Sequence, residues 1–225
     1  MRAPRGRSRP DVPQRPLALF GGTFDPVHLG HLRVAWEVAE ALDAELHMLP
    51  AHVPWHRTPP IASADERLHM LELALAGQDR LVADGRELRR AGPTYSVETL
   101  LEVRSEVGPE RPVALAIGAD AFKKVASWHR WRELFELAHV VVLTRPGHEA
   151  AFEAEVAGEW FARRVADAAS LRDRPAGAVL PLAVTALEIS ATKVRALIAS
   201  GRDPRFLLSE PVAAYVRERG LYRGS

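Results

Sequence analysis

"LALFGGTFDPVHLGHLRVA" spans residues 17–35 and passes from a strand pattern to a helix pattern within one short segment. The apolar run that begins at Leu17 stops at Gly21 and Gly22, which is typical of a buried strand in a parallel sheet. From Leu29 onward, apolar residues recur at helical spacing. The link between the two is therefore a strand-to-helix turn, and open parallel sheets bind ligands at the carboxyl ends of their strands.

Strand patterns and helix patterns alternate along the rest of the chain. Further strands are predicted within residues 45–50, 80–84, 112–120, 139–147 and 178–184. Further helices are predicted within residues 67–77, 95–106, 127–138, 151–169, 190–201 and 211–220. This alternation predicts one α/β domain over residues 17–225, built on a doubly wound, mostly parallel sheet whose strand order stays open.

Two serines mark predicted helix starts. Ser63 is followed three residues later by Glu66, which is the capping-box pattern. Ser127 directly precedes a run of apolar residues at helical spacing, so it is predicted to cap a helix that begins there.

The composition indicates a soluble protein of the cytoplasm. The chain of 225 residues contains no cysteine, which excludes disulfides and thiolate metal sites and fits a reducing compartment. It contains no apolar run of the roughly 18 residues that a membrane span needs. Its start lacks the apolar region of a secretory signal, so we expect no contact with a membrane.

The charge is distributed unevenly. Residues 1–16 carry five arginines and one aspartate, a net charge of +4, so residues 17–225 sum to −3 within the total of +1. A slightly acidic body argues against a broad nucleic-acid surface, and we expect no nucleic-acid partner. The Pro- and Arg-rich tail is predicted to be disordered, and it is either a basic arm that touches nucleic acid or a dispensable extension.

Two histidines stand where the first predicted helix begins. His28 and His31 are three residues apart and therefore lie on one helix face, beside backbone N–H groups that favour an anion. Their imidazoles add N–H donors that could follow a phosphoryl group as charge develops on its oxygens. The turn lacks the glycine pattern of a dinucleotide fingerprint and the Gly-Lys-Ser/Thr of a P-loop. The spacing also differs from that of zinc protease histidines, so the turn indicates a phosphate site.

A second anion site is predicted near the end of the chain. Ser190 and Thr192 lie at the start of a helix that follows the last predicted strand. Arg195 comes about one and a half turns after Ser190 and could reach back over a triphosphate. A helix N-terminus, two hydroxyls and a guanidinium together form a group that binds phosphate.

These two segments carry a family resemblance. "GGTFDPVHLGH" resembles the signature of the nucleotidyltransferases with a His-x-Gly-His motif, and "EISATKVRALIASG" is similar to their second signature. Three further stretches, "PAHVPWHR", "DGRELRRAGPTYSVETL" and "IGADAFKKVASWHRWRELFELAHVVVLTRPG", resemble bacterial nicotinate-nucleotide adenylyltransferases. The resemblance covers residues 17–222 and implies a Rossmann-like fold. It also implies transfer of AMP from ATP to nicotinate mononucleotide in NAD biosynthesis, with release of pyrophosphate.

The resemblance implies a role for residues on the ATP side of the crevice. Asp120 would hold a ribose, and Gly22, Thr23 and Phe24 would frame the crevice. The ATP phosphates would be bound, and the reaction assisted, by His28, His31, Ser190, Thr192 and Arg195.

The resemblance also implies roles for residues that bind the acceptor, nicotinate mononucleotide. The phosphate of the mononucleotide would be held by His56 and Arg57, with added positive charge from Arg145, while Trp128 would stack on the nicotinate ring. Helices that begin near Tyr95 and Ser96 and just after Ser127 would point the N–H groups of Ser96 and His129 at the pyridine carboxylate. Two such helix N-termini predict that the acid is preferred over the amide by at least tenfold. Ala51 departs from the asparagine that the family often has, which puts that loop's substrate contact in doubt.

The expected reaction is a direct in-line displacement that needs no nucleophilic residue. Mg²⁺ would arrive with the triphosphate, because the sequence shows no carboxylate cluster that would cage it. Two alternatives stay open: phosphopantetheine adenylyltransferase, which shares both signatures, and a nucleotide-binding sensor without turnover. The sequence does not determine the oligomeric state.

Overall fold

Within the residues that the structure describes, six strands form one parallel sheet. The computed structural model describes residues 15–52, 59–90, 92, 94–144 and 154–224. The strands are β1 Leu17–Gly22, β2 Glu45–Pro50, β3 Leu81–Ala83, β4 Val113–Gly118, β5 His139–Thr144 and β6 Val179–Ala183. Every neighbouring pair is parallel, and the order across the sheet is β3-β2-β1-β4-β5-β6. The predicted α/β class and parallel sheet are confirmed.

Helices cover both faces of this sheet. They are α1 Leu29–Leu42, α2 Ala64–Leu75, α3 Ser96–Val107, α4 Ala119–Phe122, α5 Leu134–Leu137, α6 Ala154–Arg163, α7 Ala191–Ala199 and α8 Glu210–Glu218. Short 3-10 helices occupy Arg86–Arg89, Val125–Ser127, Trp131–Glu133 and Ala169–Leu171. None of these described helices is long and apolar enough to cross a membrane.

Alternating side chains of the central strands belong to two separate hydrophobic cores, one on each face of the sheet. On β1, Ala18 joins the core beneath α1, α2, α7 and α8, while Leu17 and Leu19 join the core beneath α3, α5 and α6. β4 alternates in the same way, with Ala114 and Ala116 on the α1 side. Burial on both faces explains why the strands are apolar throughout.

The strand order reverses between β1 and β4. The chain runs outward from β1 through β2 to β3, then returns to place β4 on the other side of β1. The connections that leave the carboxyl ends of β1 and β4 therefore diverge, which opens a crevice at this end of the sheet. The turn singled out in the sequence lies at that crevice.

The predicted helix over residues 127–138 is wrong in its first half. A 3-10 helix ends at Ser127, whose hydroxyl donates to the carbonyl of Lys124 instead of capping a helix. After a turn, Arg130 adopts a left-handed conformation with φ of 52° and a second 3-10 helix leads into α5. Trp131 and Phe135 are buried. Their helical spacing reflects burial, which this broken path satisfies as well as a regular helix would.

The helix predicted over residues 151–169 is shorter than expected. Residues 151–153 lie outside the described part of the chain, and α6 ends at Arg163. Beyond it, the backbone N–H of Val165 donates to the carbonyl of Val179 at 2.9 Å, next to a parallel bridge between Arg164 and Val179. Pairing with the edge strand β6 therefore replaces the last helical turns.

The predicted tail lies mostly outside the described residues. Residues 15 and 16 are described, and Pro16 is buried with its carbonyl accepting from Glu45 N at 3.1 Å. The folded part thus begins slightly before the predicted boundary at residue 17, and the state of residues 1–14 stays a prediction.

The capping box of α2 is confirmed and gives a stability prediction. Ser63 Oγ accepts from Glu66 N at 3.2 Å, and Glu66 Oε2 accepts from Ser63 N at 2.9 Å. Ser63→Ala should lower the free energy of unfolding in urea by about 1 kcal/mol, because an N–H at the helix start loses its partner. Ser105→Ala, at an exposed position of α3, is the matched control and should change stability by less than about 0.5 kcal/mol. Equal effects of the two substitutions would contradict this account.

Candidate active site

The turn between β1 and α1 is built around a buried phenylalanine. Phe24 is 1% exposed and has a φ of 51°, a left-handed conformation that non-glycine residues rarely adopt. A Cβ at Gly22 would lie only 2.7 Å from the Phe24 ring, so a glycine is required there. The ring packs edge-on against His31 with centroids 5.0 Å apart. Gly22 of the sequence motif thus makes room for the ring that packs against His31.

The two motif histidines form a stacked pair. Their ring centroids are 3.6 Å apart and the ring planes differ by 18°. His28 is the N-cap of α1, and its Nδ1 lies 3.3 Å from the backbone N of His31, which donates to it. A Cβ at Gly30 would come within 3.1 Å of that nitrogen. The glycine between the histidines therefore allows the His28 ring to lie over the helix start.

Burial keeps both imidazoles neutral at physiological pH. Desolvation lowers the pKa of His28 to about 4. It lowers the pKa of His31 to about 3, and the neighbouring His28 disfavours a second positive charge. Since His28 Nδ1 accepts a hydrogen bond, the proton of its neutral ring lies on Nε2. The His28 ring can then donate to a phosphate oxygen without carrying a full charge.

The predicted second anion site lies across the same crevice. Ser190 is the N-cap of α7, and its Oγ accepts from Lys193 N at 3.2 Å. Arg195 donates from Nη1 to the carbonyl of Asp25 at 2.6 Å and from Nη2 to Thr192 Oγ1 at 3.4 Å. A contact over 170 residues of chain thus joins the helix start of α7 to the turn that carries the histidines.

One cavity of about 990 Å³ unites the ATP side. Its lining includes all nine residues predicted there: Gly22, Thr23, Phe24, His28, His31, Asp120, Ser190, Thr192 and Arg195. The Asp120 side chain is 99% exposed and projects from α4, with Lys123 Nζ at 3.8 Å. The structure therefore brings the predicted residues together, while their binding roles stay predictions.

A second cavity of about 580 Å³ adjoins the first and shares Gly21, Gly22 and Asp120 with it. It is lined by four residues predicted for the acceptor: Tyr95, Ser96, Trp128 and His129. The rings of Tyr95 and His129 face each other with centroids 4.7 Å apart. Trp131, by contrast, is buried in the core. The two cavities form one crevice with two compartments that meet at the carboxyl ends of β1 and β4.

Three predicted acceptor residues, His56, Arg57 and Arg145, lie outside the described residues. Within the described part of the chain, no group of three or more histidine, cysteine, aspartate or glutamate side chains is placed to hold a metal ion. Lys124, which the sequence analysis did not single out, lines the acceptor cavity. Its ammonium adds positive charge beside the predicted nicotinate site.

Sequence reasoning also missed a buried arginine that fixes the crevice. Arg67 on α2 is 1% exposed and donates to the carbonyls of Thr23 at 2.8 Å, Ala51 at 2.7 Å and His52 at 3.2 Å. These bonds tie the histidine turn to the end of β2. Ala51 contributes its backbone carbonyl to this arrangement, while the expected effect of its side chain on substrate contact stays a prediction. No sequence signal distinguishes Arg67 from an ordinary surface arginine of a helix.

Comparison with known proteins identifies the family. The sequence profile of the cytidylyltransferase-like family matches residues 19–197. A probable nicotinate-nucleotide adenylyltransferase of Halorhodospira halophila is 47% identical over 212 residues, covering 93% of this chain and 96% of that protein. The chain belongs to the nicotinate-nucleotide adenylyltransferase family. A further member, from Aeromonas hydrophila, is 46% identical over 213 residues, or 92% of this chain and 97% of that protein.

Solved structures share the fold. Plasmodium falciparum nicotinic acid mononucleotide adenylyltransferase complexed with NaAD matches 93% of this chain and 98% of its own, with a TM-score of 0.66 and 14% identity. A putative nicotinate-nucleotide adenylyltransferase from Vibrio parahaemolyticus matches 91% of this chain and 99% of its own, with a TM-score of 0.61 and 15% identity. At these identities the likeness establishes the architecture that members of the family have in common.

The lowered histidine pKa values predict a pH dependence of stability. In the unfolded chain these imidazoles bind protons below about pH 6.5, whereas in the folded chain they do so only near pH 4 and 3. The free energy of unfolding should therefore fall as the pH drops from about 6.5 toward 4, by up to about 1.4 kcal/mol per pH unit for each histidine. Urea unfolding at a series of pH values measures this slope.

Replacement of both His28 and His31 by glutamine should flatten that slope. His69→Gln, at a half-exposed position of α2, is the matched control and should keep the wild-type slope. A double variant as steep as the wild type would show that the two imidazoles do not titrate in this way.

Proposed function

We propose that this protein transfers the adenylyl group of ATP to nicotinate mononucleotide and forms deamido-NAD and pyrophosphate. The observation that carries the proposal is the crevice with two joined compartments, one bearing the histidine pair and Arg195, the other bearing aromatic side chains and the start of α3. The names of the relatives point to the same reaction.

The ATP compartment supplies donors without a strong base. A phosphate oxygen of the mononucleotide attacks the α-phosphorus of MgATP, the bond from that phosphorus to the β-phosphate oxygen breaks, and pyrophosphate leaves with its Mg²⁺. The attacking phosphate is already ionised, so no residue has to remove a proton. Neutral imidazole donors, the N-terminus of α7 and the Arg195 guanidinium are suited to positioning the phosphates and stabilising the charge that develops on them.

The acceptor compartment favours an anion at one end. α3 begins at Ser96, and no side chain caps its N-terminus. Its first N–H groups are therefore suited to the carboxylate of nicotinate, which makes charge-assisted hydrogen bonds that a carboxamide does not. The second helix start expected after Ser127 does not exist, which removes half of the predicted helix contribution.

The preference for the acid over the amide should accordingly reflect the contribution of a single helix N-terminus, that of α3. An effect of about 0.3–2 kcal/mol corresponds to a ratio of kcat/KM between roughly twofold and thirtyfold, in place of the sum over two helices. Pyrophosphate release from MgATP should be measured with nicotinate mononucleotide, nicotinamide mononucleotide and phosphopantetheine as acceptors. Ser96→Ala is the matched control: it should keep the preference, because the contact is made by the backbone.

Three other results of this assay can be told apart, and the first two of them reject adenylyl transfer to nicotinate mononucleotide. Turnover with phosphopantetheine alone would place the activity in the sister group. MgATP binding without turnover on any acceptor would indicate the nucleotide-binding sensor. Equal kcat/KM for acid and amide would leave adenylyl transfer standing and exclude the role of the α3 N-terminus.

His31 gives a kinetic prediction. His31→Ala should lower kcat by about 100- to 1,000-fold while KM for ATP changes little, because its donor contact strengthens in the transition state. Steady-state kinetics with both substrates measure the split. His69→Ala on the outer surface of α2 is the control and should keep the wild-type constants. A His31 variant with normal kcat would exclude this role.

A further inference from the structure

The carboxylate of Asp25 is buried within the histidine turn and accepts three hydrogen bonds. Asp25 is 4% exposed. Its Oδ2 accepts from Ile61 N at 2.8 Å, and its Oδ1 accepts from Ala62 N at 3.1 Å and from the hydroxyl of Tyr222 at 2.7 Å. The turn is thereby joined to the segment before α2 and to the end of the chain.

Arg195 lies on the other side of the same residue. Its Nη1 donates to the Asp25 carbonyl at 2.6 Å and stands 3.9 Å from Asp25 Oδ2. The guanidinium therefore lies between a buried negative charge and the cavity predicted to hold the ATP phosphates. A carboxylate with free lone pairs would compete with those phosphates for the same N–H donors.

Tyr222 is placed to reduce this competition. Its side chain is 3% exposed, and it reaches Asp25 across 197 residues of chain, after α8. Burial and the neighbouring Asp25 raise the pKa of the Tyr222 hydroxyl well above its usual range, so the group stays a proton donor throughout the working pH range. Its hydrogen bond is made to Oδ1, whereas Oδ2 is the oxygen recorded 3.9 Å from Arg195. Because the two oxygens share one negative charge, the bond still disperses part of the charge that faces Arg195.

We propose that Tyr222 is a positioning residue for ATP: its hydroxyl adds a third hydrogen bond to the Asp25 carboxylate, weakens the attraction of that charge for Arg195 and so leaves the guanidinium available to the triphosphate. This inference rests on the proposed function in taking the cavity beside Arg195 as the ATP site. The inference adds Tyr222 to the site, a residue near the end of the chain and outside both signature motifs. Tyr222 touches no substrate and acts through Asp25 and Arg195.

A double-mutant cycle tests the proposal. Tyr222→Phe should weaken MgATP binding, measured by calorimetry without an acceptor, by about tenfold, the size of one hydrogen bond to a charged group. In an Arg195→Ala background the same substitution should have no further effect on affinity, because the guanidinium through which Tyr222 is proposed to act is absent. In turnover assays, KM for MgATP should rise in Tyr222→Phe while KM for nicotinate mononucleotide stays within about twofold.

Val216→Ala is the matched control for loosening of the C-terminal segment. Val216 is buried on α8, the helix that precedes Tyr222, and its side chain has no group that could donate a hydrogen bond to Asp25. Its substitution should lower the melting temperature yet leave MgATP affinity unchanged. Unaltered affinity in Tyr222→Phe, an equal loss in both backgrounds, or the same loss in Val216→Ala would each overturn the proposal.

The design separates this inference from the proposed function. A wild-type protein that binds MgATP but does not adenylate nicotinate mononucleotide rejects the function, while the affinities alone still decide the role of Tyr222. A wild-type protein that does not bind MgATP overturns both. If Tyr222→Phe is too unstable to assay, Asp25→Asn tests the same competition: MgATP affinity at or above the wild-type value supports it, and a loss as large as in Arg195→Ala overturns it.

Discussion

Two buried charged groups hold the turn between β1 and α1, and the rest of the crevice depends on that turn. Asp25 receives hydrogen bonds from the segment before α2 and from the end of the chain, and Arg67 donates three to carbonyls at the ends of β1 and β2. A buried charge is costly unless it is paired or hydrogen-bonded, so Asp25 and Arg67 stabilise the turn only while these contacts are made. They fix a left-handed Phe24, which in turn supports His31.

The electrostatics of the crevice follow from the same burial. Removal from water lowers the pKa of both motif histidines, so they offer hydrogen-bond donors and no permanent charge. Permanent positive charge in the larger cavity comes from Arg195 and Lys123, and it is partly offset by Asp25 and Asp120.

Local sequence patterns predicted the elements whose structure depends on neighbours in sequence. The first strand, its turn and α1 follow from apolar spacing, glycines and the histidine motif, and the capping box set the start of α2. The errors lie where tertiary burial overrides local preference. Trp131 and Phe135 are spaced as in a helix but fill the core from a 3-10 turn and a short helix. Arg164 and Val165 continue an amphipathic pattern but pair with β6 instead.

The sequence by itself determined the α/β class, the strand-to-helix turn with its two histidines and the residues of the two signatures, because each is encoded within a few adjacent positions. Only the tertiary structure decided the strand order, the merging of two cavities and the network of Asp25, Arg195 and Tyr222. This network joins Asp25 to Arg195, 170 residues away in sequence, and to Tyr222, 197 residues away. Such contacts form because the buried carboxylate must find donors once the sheet and helices have packed, and no local pattern specifies which donors those are.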